Sequence, residues 1–489
     1  MENPFIIVMF GATGDLAKNK LFPDLFALFE KNQLDSNFFI VGFGRREFDD
    51  IGFRQFVLDE QKSRADNLDE DSWLEFLKHI FYQKGDFQEE NGYLELIEKL
   101  KNFDAQMGAC LTRIFYLATP PENYNSILDY LDKTKLSLGC IDPKFVEVSR
   151  GRAFVRVAIE KPFGKDLESS KKLDLKLASI FEEKQIFRVD HYLGKETVQN
   201  MLVFRFANGL FEPIWNNENI DHVQITFFEK KGIGNRGKFF DGVGELRDIG
   251  QNHLMQLISS VIMESPKSFH KEDVRDARSS AIKSIKCIQP EQVANLVVAG
   301  QYQGYKDEKN VDLNSKTETF VAMKFYVESA RFENVPFYVR TGKAMEKDEI
   351  TISLVFKQVC HILFKEVGCP ESPNILTFRI QPDEGIIFRT IAKKPGVKLE
   401  LAPVDMHFSY KEQFKTKGSD AYEKIVLDII HGDQMLFNRS DELNSSWEFI
   451  TRILEGFKNP NFKVHVYDKG GSGPQEAFDL IEKDGRKWL

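Results

Sequence analysis

The sequence predicts two domains: an N-terminal α/β domain on a parallel sheet, over residues 1–190, and a larger C-terminal α+β domain, over residues 191–489, whose sheet is mainly antiparallel with helices. The chain has 489 residues, more than one domain usually holds, and this length suits two cores. Hydrophobic residues make up 42% and charged residues 29%, so the chain has enough apolar material to fill both. The remaining support is a change of hydrophobic pattern near the middle of the chain.

The first half alternates short β-rich runs with helical patterns, which is typical of βαβ units on a parallel sheet. The runs at 5–10 (FIIVMF) and 38–44 (FFIVGFG) are nearly continuous in apolar residues, which fits strands covered on both faces. In the second half, runs such as 222–230 (HVQITFFEK) alternate or are short and β-branched, which favours an antiparallel sheet with one covered face. Helical patterns lie between them, above all at 246–263 and 420–437.

The charge and hydropathy patterns exclude several classes of protein. The net charge is −9, so the global positive field that recruits nucleic acid or an anionic membrane is missing. No segment approaches the ~18 consecutive apolar residues of a membrane span. The first apolar run has no basic segment before it and enters a glycine turn, so we interpret it as a strand and not as a signal peptide. These features predict a cytoplasmic protein.

The cysteines point the same way. They are five in number, scattered, and without a Cys-x-x-Cys pair, which predicts reduced buried thiols in a reducing compartment. Their positions are Cys110, Cys140, Cys287, Cys360 and Cys369.

A glycine turn directly after the first run predicts a Rossmann-like dinucleotide site. Gly11 permits a tight turn, Gly14 lets the backbone approach phosphates, and the small Ala17 lets the next helix pack on the strand with its amides facing an anion. The pattern is GxxGxxA instead of GxGxxG, and an ordinary strand-to-helix turn is the alternative. The residues expected to bind the coenzyme here are Gly11, Ala12, Thr13, Gly14, Asp15 and Leu16.

The end of the second run predicts which coenzyme binds. An acidic residue near this place accepts the ribose hydroxyls of NAD, whereas an arginine accommodates the 2′-phosphate of NADP. The run ends at Arg45 and Arg46, with no acid at the strand end. The pair therefore favours NADP; the alternative is a solvated pair of surface arginines.

Two polar clusters are candidates for the chemistry. The segment 188–196 brings a carboxylate, an imidazole, a phenol and an ammonium into six positions, and three of these groups can donate hydrogen bonds to a phosphate. The segment 245–253 places Asp248 and His253 at one end of a hydrophobic helix, although five residues of separation do not put them on one stripe of an α-helix. A structural histidine and ordinary helix capping are the alternatives.

Six motifs in this order resemble the glucose-6-phosphate dehydrogenase family over essentially the whole chain. They are GATGDLAKNKL, EKPFG, RVDHYLGKETVQN, DIGQNHLMQ, VPFYVRTGK and IQPDEGI. The resemblance implies a Rossmann-like coenzyme domain followed by an α+β domain, with NADP as coenzyme and glucose 6-phosphate as substrate, oxidised at C1 to 6-phosphogluconolactone. It also implies a homodimer or a homotetramer, between which the sequence does not decide.

The resemblance implies roles for individual residues. His253 corresponds to the general base that takes the C1 hydroxyl proton, and Asp190 to its carboxylate partner, a pair that the reaction needs. His191, Tyr192 and Lys195 correspond to the phosphate-binding group. The residues expected to hold the sugar are Glu229, Asp248 and Lys343, together with Lys161, which also faces the coenzyme and precedes Pro162, where the family often has a cis peptide.

One position departs from the family pattern. A second basic residue usually follows the lysine at Lys343 by five positions, and Asp348 stands there. We expect Lys347 to replace it through a local shift, because an aspartate would repel a phosphate dianion.

Other functions find less support in the sequence. The GxxxxGK[ST], GxSxG and HExxH patterns and metal-ligand spacing of histidines are missing, so no metal is expected. A catalytically inactive NADP-sensing homologue would not need Asp190, His253, Lys161 and Lys195 together. A reductase of the short-chain or glucose-fructose type would carry its own lysine motif in place of RVDHYLGKE.

Overall fold

The structure, a computed structural model, describes residues 4–34, 36–64, 68–140, 154–358, 372–414 and 420–489. Its first sheet has six strands in the order β3-β2-β1-β4-β5-β6, and all neighbours run parallel. The strands are Phe5–Phe10 (β1), Phe38–Gly44 (β2), Ile80–Lys84 (β3), Thr112–Leu117 (β4), Val155–Glu160 (β5) and Ile186–Val189 (β6). This is the strand order of a dinucleotide-binding sheet, and it confirms the predicted Rossmann-like domain.

Helices cover both faces of this sheet, as the unbroken apolar runs predicted. The helices are Phe22–Glu30 (α1), Asp50–Lys62 (α2), Glu70–Leu77 (α3), Glu90–Met107 (α4), Tyr124–Lys133 (α5) and Leu167–Ala178 (α6), with a π-helix at Ala17–Leu21 before α1. The first three pack on one face, and α4, α5 and α6 pack on the other. All six residues of β1 are buried.

The second sheet has nine strands in the order β14-β13-β12-β11-β7-β10-β9-β8-β15. Two neighbouring pairs, β7 with β10 and β8 with β15, are parallel, and the others are antiparallel, which confirms the predicted mainly antiparallel sheet. The strands are Ile220–Phe228 (β7), Val297–Tyr302 (β8), Phe320–Phe325 (β9), Phe337–Gly342 (β10), Glu349–Phe356 (β11), Ile375–Gln381 (β12), Gly385–Lys393 (β13), Leu401–Ser409 (β14) and Val464–Tyr467 (β15).

The largest core lies between one face of this sheet and several helices. The helices of this half are Glu196–Ala207 (α7), Gly237–Phe240 (α8), Met255–Ile262 (α9), Lys271–Lys283 (α10), Val293–Leu296 (α11), Tyr410–Phe414 (α12), Ala421–His431 (α13), Ser440–Phe457 (α14) and Gln475–Glu482 (α15), with a second π-helix at Leu246–Leu254. Short 3₁₀ turns lie at Pro121–Asn123, Leu136–Leu138, Glu183–Gln185, Glu212–Ile214, Gly234–Arg236, Pro290–Gln292, Tyr305–Asp307 and Ala330–Phe332.

One helix of the second half packs against the first sheet. The side chains of Ile425, Val426 and Ile429 on α13 belong to the same core as α1, α2 and α3. At the carboxyl end of α13, the carbonyls of Ile429 and Ile430 accept hydrogen bonds from the Arg156 guanidinium on β5, at 3.0 Å and 2.6 Å. The late segment therefore ties the two halves together, and the division after residue 190 stays a prediction.

The prediction of reduced cysteines is wrong for two of the five. Cys110 and Cys140 form a disulfide, with their Cα atoms 5.5 Å apart. The two are thirty residues apart in sequence, and the fold brings them together near the start of β4, which no local spacing indicates. Cys287 is a half-buried thiol, and Cys360 and Cys369 lie outside the described residues. Within the described ranges, no helix is long and apolar enough to cross a membrane.

Candidate active site

The glycine turn lies at the carboxyl edge of the first sheet. Gly11 has φ +85°, and a Cβ there would stand 2.6 Å from the carbonyl oxygen of Ala118 at the end of β4. The Gly11 amide donates to the carbonyl of Phe43 near the end of β2 (3.0 Å), and the Gly14 amide donates to the Gly11 carbonyl (2.8 Å). The turn is therefore tight and without side chains at its closest approach, which fits the diphosphate of a dinucleotide. Ala12 and Thr13 complete this turn, and Asp15 and Leu16 begin the helical segment that follows it.

Arg45 and Arg46 directly follow β2 at the same edge. Both side chains are exposed, and the Arg46 guanidinium lies over the Phe56 ring at 5.4 Å. The Tyr82 hydroxyl donates to the Arg46 carbonyl (3.0 Å), which fixes the backbone there. The two cations thus stand beside the glycine turn, as an NADP 2′-phosphate would require.

Lys161 leaves the same edge, one residue after β5. The Lys161–Pro162 peptide is cis, as the family resemblance implied. The Lys161 ammonium lies 2.8 Å from His253 Nε2 and donates to the Asp248 carbonyl (3.1 Å). A cavity of about 500 Å³ opens beside it, between the segment that follows β5 and the second π-helix. Lys161 therefore stands between the coenzyme edge and the second half of the chain.

The second π-helix explains how Asp248 and His253 come together. A π-helix closes its turns over i→i+5 instead of i→i+4, so residues five apart lie on the same side of the helix. The expectation from α-helical spacing is therefore wrong here, and both residues reach Lys161. The Asp248 carbonyl accepts from the Asn252 side chain (3.0 Å) as well as from Lys161, which compensates for an altered helix ladder.

His253 and Asp190 form a buried pair. The His253 Nδ1 lies 2.6 Å from Asp190 Oδ1, and the two residues are 2% and 1% exposed. The Tyr192 amide donates to the same carboxylate oxygen (3.0 Å). The short contact to the carboxylate places the ring proton on Nδ1, and the Lys161 ammonium then donates to the lone pair on Nε2. This tautomer leaves Nε2 as the proton acceptor.

The surroundings keep His253 neutral. Burial lowers the pKa of His253 well below its usual value, and the Lys161 ammonium lowers it further. Burial also raises the pKa of Asp190, while the neighbouring His191 and Lys161 oppose that rise. A neutral imidazole with an oriented lone pair is what a general base requires.

His191, Tyr192 and Lys195 lie together next to this pair. The Tyr192 ring centroid is 3.9 Å from that of His253, and the His191 ring centroid is 4.8 Å from it. The Lys195 ammonium lies over the Tyr192 ring at 4.4 Å and donates to Gln381 Oε1 (2.7 Å). Burial lowers the pKa of Lys195 to about 8. The group offers an imidazole, a phenol and an ammonium to one anion.

Lys343 and Glu229 form a second cluster with Asp248. The Lys343 ammonium pairs with the Glu229 carboxylate and lies 3.1 Å from Asp248 Oδ2. Burial opposes the charge of Lys343, but the carboxylates around it outweigh burial and raise its pKa. Burial raises the pKa of Asp248, but the cations Lys161, Lys343 and Arg236 outweigh burial and hold that pKa below its usual range. The cluster gives donors and acceptors suited to sugar hydroxyls.

Sequence reasoning assigned no role to two residues of this site. Gln381, at the end of β12, contacts Lys195, and its place in the IQPDEGI motif was the available signal. Glu245 lies 3.3 Å from Lys343, and it opens the segment that contains Asp248 and His253. Lys347 pairs with Glu349 (3.2 Å), whereas Asp348 accepts from the Lys230 amide (2.8 Å), so the replacement of the missing basic residue by Lys347 stays a prediction.

A metal ion has a possible set of ligands in the same place. The ligand atoms of Asp190, His191 and His253 lie within 4.8 Å of one another. The Lys161 ammonium already contacts His253 Nε2, so the arrangement is explained without an ion. The expectation that no metal takes part stays a prediction.

Comparisons with known proteins cover both halves of the chain. Residues 8–200 match the family model "Glucose-6-phosphate dehydrogenase, NAD binding domain", and residues 202–489 match "Glucose-6-phosphate dehydrogenase, C-terminal domain". Glucose-6-phosphate 1-dehydrogenase of Chlamydia pneumoniae is 40% identical over 99% of this chain and 96% of its own length. The enzyme of the same name from Borreliella burgdorferi is 41% identical over 98% of this chain and 97% of its own length.

A solved structure is also similar over the full length. A glucose-6-phosphate dehydrogenase in complex with its substrate glucose 6-phosphate superposes with a TM-score of 0.89 at 33% identity, covering 100% of this chain and 99% of the other. Both halves of the fold are therefore shared with that protein.

Proposed function

Because this chain belongs to the glucose-6-phosphate dehydrogenase family, we propose that it oxidises glucose 6-phosphate at C1 to the lactone, with His253 as the general base. The observation that carries the assignment of the base is the buried His253–Asp190 pair, with Nε2 directed at Lys161. The enzyme is an NADP-dependent oxidoreductase, and NADP, when bound, accepts the hydride at its nicotinamide. No feature favours the catalytically inactive alternative.

The proton leaves the substrate toward His253. As the hydride leaves C1, the C1 hydroxyl proton passes to Nε2 of His253, and the C1–O bond becomes the carbonyl of the lactone. The His253 side chain thereby becomes an imidazolium. Asp190 then faces that imidazolium through Nδ1–H and stabilises its charge. In the free enzyme Nε2 accepts a hydrogen bond from Lys161, so the C1 hydroxyl of the substrate replaces this contact. Lys161 can then donate to the oxygen of that hydroxyl.

The remaining site residues orient the two molecules. Glu229, Asp248 and Lys343 hold sugar hydroxyls, and His191, Tyr192 and Lys195 hold the phosphate. The glycine turn from Gly11 to Leu16 holds the coenzyme diphosphate, and Arg45 and Arg46 hold its 2′-phosphate. A Cβ at Gly11 would collide with the Ala118 carbonyl oxygen, so only glycine lets the turn pack on the end of β4.

The phosphate assignment is tested by Lys195→Ala. The substitution removes a charged donor to a dianion, so kcat/KM for glucose 6-phosphate should fall at least ~10-fold. Free glucose should be a poor substrate of the parent, and its kcat/KM should barely change in the variant, because glucose carries no phosphate for Lys195 to contact. Steady-state rates with both sugars measure this, and equal losses for both would contradict a phosphate contact.

The pH dependence of kcat/KM should reflect the protonation of Lys195. Because the pKa of Lys195 is about 8 in the free enzyme, its charge is present below that pH and lost above it. We therefore expect kcat/KM for glucose 6-phosphate to fall as the pH rises through about 8. Lys195→Ala should remove this alkaline limb, and an unchanged limb in the variant would assign it to another group.

We further propose a cytoplasmic location and assembly as a homodimer or homotetramer, both on the strength of family membership. The Cys110–Cys140 disulfide removes the support that the cysteine pattern gave to a reducing compartment. Light scattering on the purified chain distinguishes a monomer, which would contradict the proposal, from the two assemblies.

A further inference from the structure

Glu245 is a buried carboxylate beside the sugar-binding residues. It immediately precedes the second π-helix and is 0% exposed. Its Oε2 lies 3.3 Å from the Lys343 ammonium, and its Oε1 accepts from the Thr341 hydroxyl (2.6 Å). One carboxylate oxygen of Glu245 therefore contacts Thr341 and the other faces Lys343, and the side chain is closed off from solvent.

Lys343 is surrounded by three carboxylates. The Glu229 carboxylate accepts a hydrogen bond from the Lys343 ammonium, and Asp248 Oδ2 and Glu245 Oε2 form ion pairs with it at 3.1 Å and 3.3 Å. The Glu245 Oε2 atom is buried and accepts no hydrogen bond from any described residue, so it acts on Lys343 through charge. If Lys343 binds the sugar, as proposed above, the substrate hydroxyls compete with these carboxylates for the ammonium.

The three carboxylates differ in their access to the cleft. The side chain of Glu229 is 38% exposed, and that of Asp248 is 7% exposed on a helix that also faces Lys161. Both can exchange Lys343 for sugar hydroxyls. Glu245 is fully enclosed and cannot reach the substrate, so its contact with Lys343 is the one that can persist when the other two change.

We propose that Glu245 is a positioning residue, which keeps the Lys343 ammonium directed at the sugar while Glu229 and Asp248 change partners. This inference rests on the proposed function, since it assigns Lys343 to the sugar. It also accounts for Thr341, whose hydroxyl orients the Glu245 carboxylate from the opposite side.

Charge balance supports the same role. Burial raises the pKa of Glu245 to about 7, and the Lys343 ammonium opposes this rise. The carboxylate therefore depends on Lys343 to stay ionised in its enclosed position. Without Lys343, Glu245 would take up a proton and lose its effect on the site.

A double-mutant cycle tests the proposal. Glu245→Gln keeps the shape and an acceptor for Thr341 but removes the charge, and kcat/KM for glucose 6-phosphate should fall about 10-fold. The KM for NADP should stay within about two-fold, because the coenzyme does not depend on Lys343. In a Lys343→Ala background, Glu245→Gln should change kcat/KM by less than about two-fold.

Glu318 offers a matched control. It is another enclosed carboxylate next to the same π-helix, where its Oε1 accepts from the Leu246 amide (3.1 Å), and burial raises its pKa to about 7 as well. Glu318→Gln should leave kcat/KM nearly unchanged, whatever it does to the melting temperature. Equal losses of kcat/KM in the Glu245 and Glu318 variants would overturn the proposal and assign Glu245 a structural role.

Two other results would also overturn the proposal. One is a Glu245→Gln variant with the kcat/KM of the parent, and the other is an effect of Glu245→Gln on kcat/KM that is as large in the Lys343→Ala background as in the parent. If Glu245→Gln does not fold, Thr341→Val is taken through the same cycle, since it removes only the hydroxyl that orients Glu245, and additivity with Lys343→Ala would again be decisive. Failure of the proposed function is recognised separately, because the parent itself would then not oxidise glucose 6-phosphate.

Discussion

Replacing His253 by asparagine should abolish most of the activity and leave substrate binding nearly intact. The amide keeps a polar group next to Asp190 but cannot take the C1 hydroxyl proton. A positioned general base contributes roughly 10²- to 10⁴-fold to a rate, so kcat should fall by at least that order, with KM little changed. Steady-state kinetics with glucose 6-phosphate and NADP measure both constants.

His222 provides the control for this substitution. It lies on β7 and is buried, with its Nδ1 2.6 Å from the Asp221 carboxylate, so it reproduces a histidine–aspartate pair outside the proposed site. His222→Asn should lower stability without a comparable loss of kcat. Activity of His253→Asn within a few-fold of the parent, or equal losses in the two variants, would show that His253 is structural.

Replacing Arg45 and Arg46 together should cost NADP use at least ~100-fold and change NAD use far less. The 2′-phosphate of NADP carries close to two negative charges, and guanidinium groups bind its oxygens through paired hydrogen bonds that NAD cannot make. Of the single variants, Arg45→Ala should have the larger effect. The family resemblance supports Arg45 more firmly, and the Arg46 side chain already packs over Phe56.

The measurement is kcat/KM for both coenzymes in the parent, the two single variants and the double variant. Arg64, an exposed arginine of the same half that pairs with Glu60 (3.6 Å), serves as the control for a general loss of surface charge. A parent that prefers NAD, or variants that lose both coenzymes in parallel, would leave the arginines as surface charges or supports for the adenine.

The sequence was sufficient to predict β1, β2 and the glycine turn because their signals are local. A continuous apolar run such as β1 indicates a strand covered on both faces, and a glycine with positive φ is recognisable when it follows such a run, as Gly11 does. In the second half, β13 and β14 are among the strands that were not predicted. Most of their residues are only half-buried or exposed, so they lack the apolar alternation that marks a strand.

The features that escaped prediction depend on contacts between distant segments. The π-helix around His253 is accompanied by hydrogen bonds from Lys161, which lies 87 residues away from Asp248 in sequence. The disulfide and the packing of α13 on the first sheet likewise join segments that no periodicity relates. The role of Glu245 could not be inferred from its motif, because its meaning depends on where β10 places Lys343.

The central claim is tested most directly by following the hydrogen of C1. The parent enzyme is incubated with glucose 6-phosphate deuterated at C1 and with NADP. The reduced coenzyme is then isolated, and its mass is measured by mass spectrometry. The mechanism predicts reduced NADP that carries one deuterium, because the hydride passes from C1 to the nicotinamide while the hydroxyl proton passes to His253. Failure to form reduced coenzyme, or reduced coenzyme without deuterium, would contradict it.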